Sequence, residues 1–228
     1  MKILAVETST VLGGLAVTVD DSLIAESRLN VRVTHSERLL GEIAHIMNRS
    51  SLVIGDIDIF GISIGPGSFT GLRVGLSTVK GLAFATGKPV VAVPTLEAFA
   101  WHLPFCIHHV CPLLDARRGE VYAAVFEWNG DGFRRRMTEC ALPAEALIPQ
   151  VSERTVFLGE GALRYRQTLE RLGDRAIFGH LHHMVPSPAA VALLCRKKAL
   201  QNDYENPVTL SPFYIRRSEA EIKAGEGP

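Results

Sequence analysis

The sequence has no surplus of charge of either sign. Lysine and arginine together number 24, as do aspartate and glutamate, whereas a free-standing nucleic-acid binder ordinarily carries a basic excess. No apolar run approaches the roughly 20 residues that a membrane helix needs. The opening stretch Met1-Lys2-Ile3-Leu4-Ala5-Val6 reaches Glu7 too early for a secretory leader, so a cytoplasmic chain is expected. Cys106, Cys111, Cys140 and Cys195 show no zinc or redox spacing, and reduced thiols in apolar surroundings are expected. The most glycine-rich turn does not end in Gly-Lys-Ser/Thr, which excludes a P-loop. At the glycine turn, Gly65-x-Gly67-Ser68 puts the serine in the wrong place for a nucleophile elbow. His108-His109 and His180, His182 and His183 lack both the i, i+4 spacing and the third ligand of a metal site.

What is present is a chain of 228 residues, 47% apolar, enough for a full core in one large domain or two lobes. Its focus is Gly65-Pro66-Gly67-Ser68-Phe69-Thr70-Gly71-Leu72-Arg73. An apolar run, Ile57 to Ile64, precedes this stretch as a buried strand. Leu72, Leu76, Val79 and Ala83 follow at helical spacing over Phe69 to Ala85. The helix so predicted contains Gly71, Gly75 and Gly81, each costing about 1 kcal/mol relative to alanine. Gly71, Gly75, Thr78 and Leu82 share one stripe. A smooth stripe beside an apolar one predicts a helix gripped on two sides, by its own sheet and by a partner. Packing of Gly71 and Gly75 on their own sheet alone is the other reading.

In chain order, strands are expected at Ile3–Glu7, Leu15–Val19 and Leu23–Leu29, with a turn at Gly13-Gly14. Thr34 and Glu37 match a capping box, opening a helix with Leu39, Leu40, Ile43, Ile46 and Met47 on one face and an end near Asn48. The central strand, turn and helix come next, then a strand at Val90–Val93 and a helix through Ala100. The second half repeats the plan. Val110 to Leu114 ends in Asp115, Gly119 turns the chain, and Val121 to Trp128 pairs through Asn129-Gly130 with Phe133 to Cys140. A helix over Ala144–Leu147, a strand over Thr155–Leu158 and a helix over Ala162–Leu172 follow. Ser187-Pro188 opens a last helix running to about Leu200. Residues 173–186 have no assignment. The tail around Phe213-Tyr214-Ile215 is apolar enough to dock, and the chain from Ser218 onward reads as loose.

A unit of strand, acid, turn and hairpin thus occurs twice, and this predicts two similar lobes with a cleft between them. Glu7, Thr8, Asp115 and Gly159 are the candidates for a nucleotide contact there. A phosphotransferase needs glycine amides close behind each acid. After Glu7 the glycines arrive only at 13 and 14, and after Asp115 arginines take the small-residue places. Arg134-Arg135-Arg136 and Arg216-Arg217 read as solvated surface, or as RNA contacts inside a larger assembly.

Three stretches resemble the bacterial TsaB (YeaZ) family: Ile3-Leu4-Ala5-Val6-Glu7-Thr8-Ser9, the glycine turn through Gly75, and Leu113-Leu114-Asp115-Ala116-Arg117-Arg118-Gly119-Glu120-Val121-Tyr122. Their order and spacing match over essentially the whole chain. The resemblance implies an α/β fold of two ribonuclease-H-like, actin-like ATPase (ASKHA) lobes. These are expected at 1–103 and 104–228, the last helix and tail packing back on the first lobe. It implies a required, non-catalytic partner of the TsaD transferase in forming threonylcarbamoyladenosine on tRNA. A TsaE-like ATPase would complete a ternary complex, tRNA would be touched only through that complex, and the chain alone would form a homodimer. No cofactor and no metal are implied. The paired-histidine metal motif of TsaD is replaced by Pro94-Thr95-Leu96-Glu97-Ala98-Phe99-Ala100. The implied interface lies on the two N-lobe helices, at Thr34, Ser36, Leu39, Leu40, Ile43, Thr70, Gly71, Val74, Gly75 and Thr78. The alternative readings are an ATP-dependent small-molecule kinase of the same fold and a metallopeptidase.

Overall fold

The computed structural model describes residues 1–30 and 35–216, with the side chains of 29–30 and 35–38 left out. Two five-stranded mixed sheets form the frame. In the first, β1 (Lys2–Glu7), β2 (Leu12–Val19) and β3 (Ser22–Asn30) make an antiparallel meander. β4 (Ile59–Ser63) and β5 (Val90–Val93) add in parallel on the far side of β1, in the order β3-β2-β1-β4-β5. In the second, β6 (His109–Arg117), β7 (Glu120–Trp128) and β8 (Phe133–Pro143) repeat the meander, and β9 (Thr155–Leu158) and β10 (Ala176–Phe178) repeat the parallel pair. The order β8-β7-β6-β9-β10 reproduces the first sheet strand for strand. The expected two ribonuclease-H-like lobes are therefore what the chain forms.

The central strands carry apolar residues toward both faces because both faces are covered. Leu4, Val6, Phe60 and Ile62 face α1 (His35–Arg49) and α2 (Phe69–Thr86). Ile3, Ala5 and Val91 face α7 (Pro188–Leu200). In the second sheet, Leu113, Val121 and Phe157 pack under α4 (Ala144–Leu147), α5 (Glu160–Arg164) and α6 (Arg166–Leu169). Its other face, with Val110, Leu114 and Phe126, is covered by Leu96, Phe99 and Ala100 of α3 (Thr95–Ala100). Each lobe's last helix thus closes the other lobe's sheet. Gly61 permits this on β4, since a Cβ there would stand 2.6 Å from Cys195 Sγ of α7.

Three local readings change. Gly13 and Gly14 lie inside β2 and form no turn; Gly14 pairs with Glu7, and its missing Cβ leaves room for Pro188 and the Ser27 carbonyl. The single helix expected over Ala162–Leu172 is broken into α5, α6 and a 3-10 stretch, Glu170–Arg175, interrupted at Gly173 with φ 60°. Residues 173–186, unassigned from sequence, supply β10 and a 3-10 turn at Leu181–His183. Thr34 lies outside the described residues, so its capping box does too.

The largest correction concerns the glycine stripe. Gly71 and Gly75 are buried, and a Cβ on either would collide with Thr8 of the same chain, at its carbonyl for Gly71 and at its hydroxyl for Gly75. Gly67 stands likewise against the Ser9 carbonyl, which also accepts the Ser68 amide at 2.6 Å. The stripe exists so that α2 can lie against the end of β1, and no partner is needed to account for it. The tail approaches α2 on another side. Tyr214 stacks on Phe69 at 4.8 Å and accepts from Arg73 Nε at 3.0 Å; Leu210 is buried in the first core; Lys80 Nζ donates to the Val208 carbonyl.

Gly71 and Gly81 give opposite outcomes in one helix. Nothing stands within 4 Å of a Cβ at Gly81, so Gly81→Ala should stabilise the chain by about 0.5–1 kcal/mol. Gly71→Ala meets rigid backbone and should cost about 2–4 kcal/mol. Urea unfolding of the two variants checks both signs.

Candidate functional site

The β1–β2 turn, the β6–β7 turn and the N-terminus of α2 meet at the cleft between the lobes, which encloses about 670 Å³. Ser9, Thr10, Gly67, Ser68 and Phe69 line it from the first lobe; Asp115, Arg117, Arg118, Glu160 and Arg164 line it from the second. Of the four nucleotide candidates, only Asp115 reaches this lining. Glu7 and Thr8 lie buried behind the lining, where Glu7 accepts the amide of the lining residue Ser9. Gly159 has its α-carbon pressed on the Leu113 carbonyl, and its neighbour Glu160 is the residue that faces the cleft.

Asp115 is already occupied by its own chain. Arg164 Nη1 donates to Oδ2 at 2.7 Å, the Arg117 amide to Oδ1 at 3.1 Å, and the Tyr165 hydroxyl lies 3.4 Å from Oδ1. The turn that follows carries Arg117 and Arg118 at φ 63° and 53° before Gly119 at 84°. Two side-chain-bearing residues in the left-handed region thus stand where a phosphate loop would place glycines. Burial, then the negative charge of Asp115, raises the Glu160 carboxyl above its ordinary range. The opposite loop is closed as well, because the Ser9 carbonyl takes the Ser68 amide and the Ser68 hydroxyl accepts from the Gly71 amide at 3.3 Å. Among the described residues no three His, Cys, Asp or Glu side chains are placed to hold a metal ion, and no helix is long and apolar enough to cross a membrane.

Glu7 is 1% exposed. One oxygen accepts the Ser9 amide at 2.6 Å, and the other has no hydrogen-bond partner among the described residues. Burial raises its pKa against the hydrogen bonds it accepts from Ser9.

A second surface lies on α1 and α2, side by side on the first sheet. Leu39 and Ile43, read from sequence as interface residues, are 7% and 4% exposed and belong to the core beneath. Leu40 points outward at 60%. Of the α2 candidates, Thr70 is exposed and Val74 and Thr78 are half-buried. Sequence reasoning missed Ser77, Gly81 and Phe84, which are exposed on the same helix; Phe84 is 92% exposed. The signal was available: with Leu72, Leu76, Val79 and Ala83 inward, a 100° step per residue places Thr70, Ser77, Gly81 and Phe84 outward. Ser77 and Thr78 donate their hydroxyls back to the Arg73 and Val74 carbonyls at 2.7 and 2.9 Å, which leaves the strip short of free donors. The side chain of Ser36, another expected contact, lies outside the described residues.

The environment of Glu7 sets a pH dependence. Its folded pKa is raised, so the folded chain holds the proton more tightly than the unfolded one. The stability this contributes is complete below the ordinary value of 4.5 and is lost as pH rises through the folded value. Glu7→Gln, a neutral isostere, should therefore melt higher than the unaltered chain at pH 7, with the gap closing as pH falls toward 4.5. Thermal melts across that range check it.

The chain can now be set beside known proteins. The family model for TsaD, tRNA N6-adenosine threonylcarbamoyltransferase, matches residues 30–224. The tRNA threonylcarbamoyladenosine biosynthesis protein TsaB of Bacillus subtilis (strain 168) is 28% identical over 227 residues, which cover 98% of this chain and 97% of that one. TsaB of Escherichia coli (strain K12) is 33% identical over 168 residues, 71% of this chain and 72% of that one. The solved structure of YeaZ from Pseudomonas aeruginosa superposes with a TM-score of 0.81 at 24% identity, covering 93% of this chain and 99% of that chain. The chain matches the TsaB proteins along its length and shares their fold with the transferase-type model. It belongs to the TsaB family of tRNA threonylcarbamoyladenosine biosynthesis proteins.

Proposed function

We propose that this chain takes part in forming threonylcarbamoyladenosine on tRNA as a required, non-catalytic partner of a TsaD-like transferase. The observation that carries the reading is the contrast between its two surfaces. At the cleft, Asp115 is bound by Arg164 and the glycine turn is bound by Ser9. On α1 and α2, Leu40 and Phe84 stand exposed along a strip of small residues. Exposed aromatic and aliphatic side chains on a rigid element are the usual anchors of a protein interface, and small residues between them let a partner helix come close. In this reading residues 1–103 carry the docking face and 104–228 form the second lobe. A TsaE-like ATPase joins the pair, tRNA is met only through the complex, and the same face makes a homodimer when the transferase is absent. Leu40, Thr70, Val74 and Thr78 remain in the proposed interface, joined by Ser77, Gly81 and Phe84. The kinase reading is not favoured, because Asp115 is paired with Arg164 and arginines stand where its phosphate loop would need glycines.

Co-purification with a TsaD-like transferase tests the interface. Phe84→Lys and Leu40→Glu replace exposed side chains, so the melting temperature should stay within a degree or two. Binding should weaken tenfold or more for each, by the usual weight of an interface anchor. Undiminished capture of both variants would place the interface elsewhere.

A further inference from the structure

Two crossovers carry the chain between the lobes: residues 101–108 lead from α3 to β6, and residues 179–187 lead from β10 to α7. The tail makes a third tie, at the mouth of the cleft. After α7 it runs along the first lobe and is fastened there through its backbone. The Glu205 amide donates to the Val90 carbonyl of β5, and the Phe213 amide donates to the Ile64 carbonyl, both at 2.8 Å. Between these points Leu210 is buried in the first core. Gly65 lets the two backbones meet, since a Cβ there would stand 2.5 Å from the Phe213 carbonyl oxygen. Past Phe213 the attachment changes in kind. Among the described residues no backbone hydrogen bond holds 214–216, and two side chains do the holding. Tyr214 lies on the Phe69 ring of the first lobe, with the Arg73 guanidinium 3.8 Å from that ring. Arg216 pairs with Glu120 at the start of β7, in the second lobe. Tyr214 and Arg216 both line the cleft. Glu120 has a second arginine beside it. Arg117 stands opposite Glu120 in the β6–β7 register, where Cβ atoms lie about 5 Å apart. Arg117, Arg216 and Glu120 all act on the Tyr122 hydroxyl, so the three charges share one neighbourhood. Among the described residues Arg117 makes no ion pair.

We propose that residues 214–216 form a gate at the cleft mouth, worked by exchange of Glu120 between two arginines. With Arg216 on Glu120 the mouth is shut. With Arg117 on Glu120 the tip lifts from its fixed base at Phe213 and leaves the mouth open. Glu120 keeps a cationic partner in both positions, so opening gives up only the Tyr214–Phe69 contact and the difference between two arginines. A half-exposed ion pair and one stacked ring are weak contacts, and the gate is therefore reversible. Three residues of extended chain reach about 10 Å, enough to carry Arg216 clear of β7 while the base stays in place. What the gate controls is entry to the cleft of about 670 Å³, whose walls bear Asp115, Glu160 and Arg164.

Electron–electron double resonance between two spin labels reads the gate in the full chain. One label is placed on the tip at Ile215→Cys and the other on the second lobe at Leu163→Cys, an exposed position. Cys106→Ser and Cys140→Ser remove the two thiols that are not buried. In this background a short distance should dominate. Arg216→Glu sets like charges together and should raise the ratio of long to short distances about fivefold or more. Adding Glu120→Arg to it restores opposite charges and should bring the short distance back, which also shows that the first variant is folded. Tyr214→Ala leaves the tip held by the ion pair alone and should raise the long fraction. Adding Arg117→Ala to Tyr214→Ala removes the competing arginine and should lower that ratio again, about threefold. A plain surface ion pair would not respond to this last change. Distances unmoved by Arg216→Glu, a charge swap that fails to restore the short distance, or a Tyr214→Ala ratio indifferent to Arg117→Ala would overturn the proposal.

Discussion

One contact organises this molecule: the press of Gly67, Gly71 and Gly75 against Ser9 and Thr8. It brings the backbone of α2 onto the end of β1 at a distance that any side chain would forbid. Three consequences follow from that closeness. The loop after β1 is tied to the glycine turn through the Ser9 carbonyl and the Ser68 amide. Glu7 is sealed beneath, one oxygen without a hydrogen-bond partner among the described residues. The rotation of α2 is fixed, which turns Ser77, Gly81 and Phe84 away from the core. The tied loop and the outward face are two results of the same packing.

The second lobe closes its corresponding site by a different device. Where the first lobe uses a close backbone approach, the second uses charge, with Arg164 on Asp115 and two arginines in the left-handed turn beyond it. The lobes share strand order to the last strand and exchange their final helices. The duplicated frame therefore behaves as one interlocked body joined through two crossovers. The tail adds a further tie: Tyr214 lies on Phe69 of the first lobe, and Arg216 reaches Glu120 of the second.

Much of the fold was legible because strong local signals coincided with global demands. Apolar runs such as Val90–Val93 are strands buried on both faces, Ser187-Pro188 is a helix start, and Asn129-Gly130 is a hairpin tip whose Asn129 side chain accepts two amides. The failures were of another kind. Gly13 and Gly14 read as a turn, but their glycines answer to Pro188, distant in sequence. Ala162–Leu172 had helical spacing, yet the chain leaves helical geometry at Tyr165, with φ -106° and ψ 24°, and tightens to a 3-10 stretch from Glu170. At the candidate site, sequence identified Gly71 and Gly75 as unusual and left two readings, an outside helix and packing on their own sheet. What they accommodate is Thr8, and no local pattern says which backbone a glycine admits. Leu39 and Ile43 were grouped with Leu40 because one apolar face was assumed to serve both core and partner; the helix divides them.

In the function proposed above, this chain acts through the outer face of α1 and α2 and not through its cleft. Reconstituted threonylcarbamoyl transfer to tRNA by a TsaD-like transferase measures this most directly, with the chain supplied unaltered, as Asp115→Asn, or as Phe84→Lys. Transfer sustained by the cleft variant and lost with the face variant is the predicted result. Transfer abolished by Asp115→Asn while Phe84→Lys supports it fully would contradict the account.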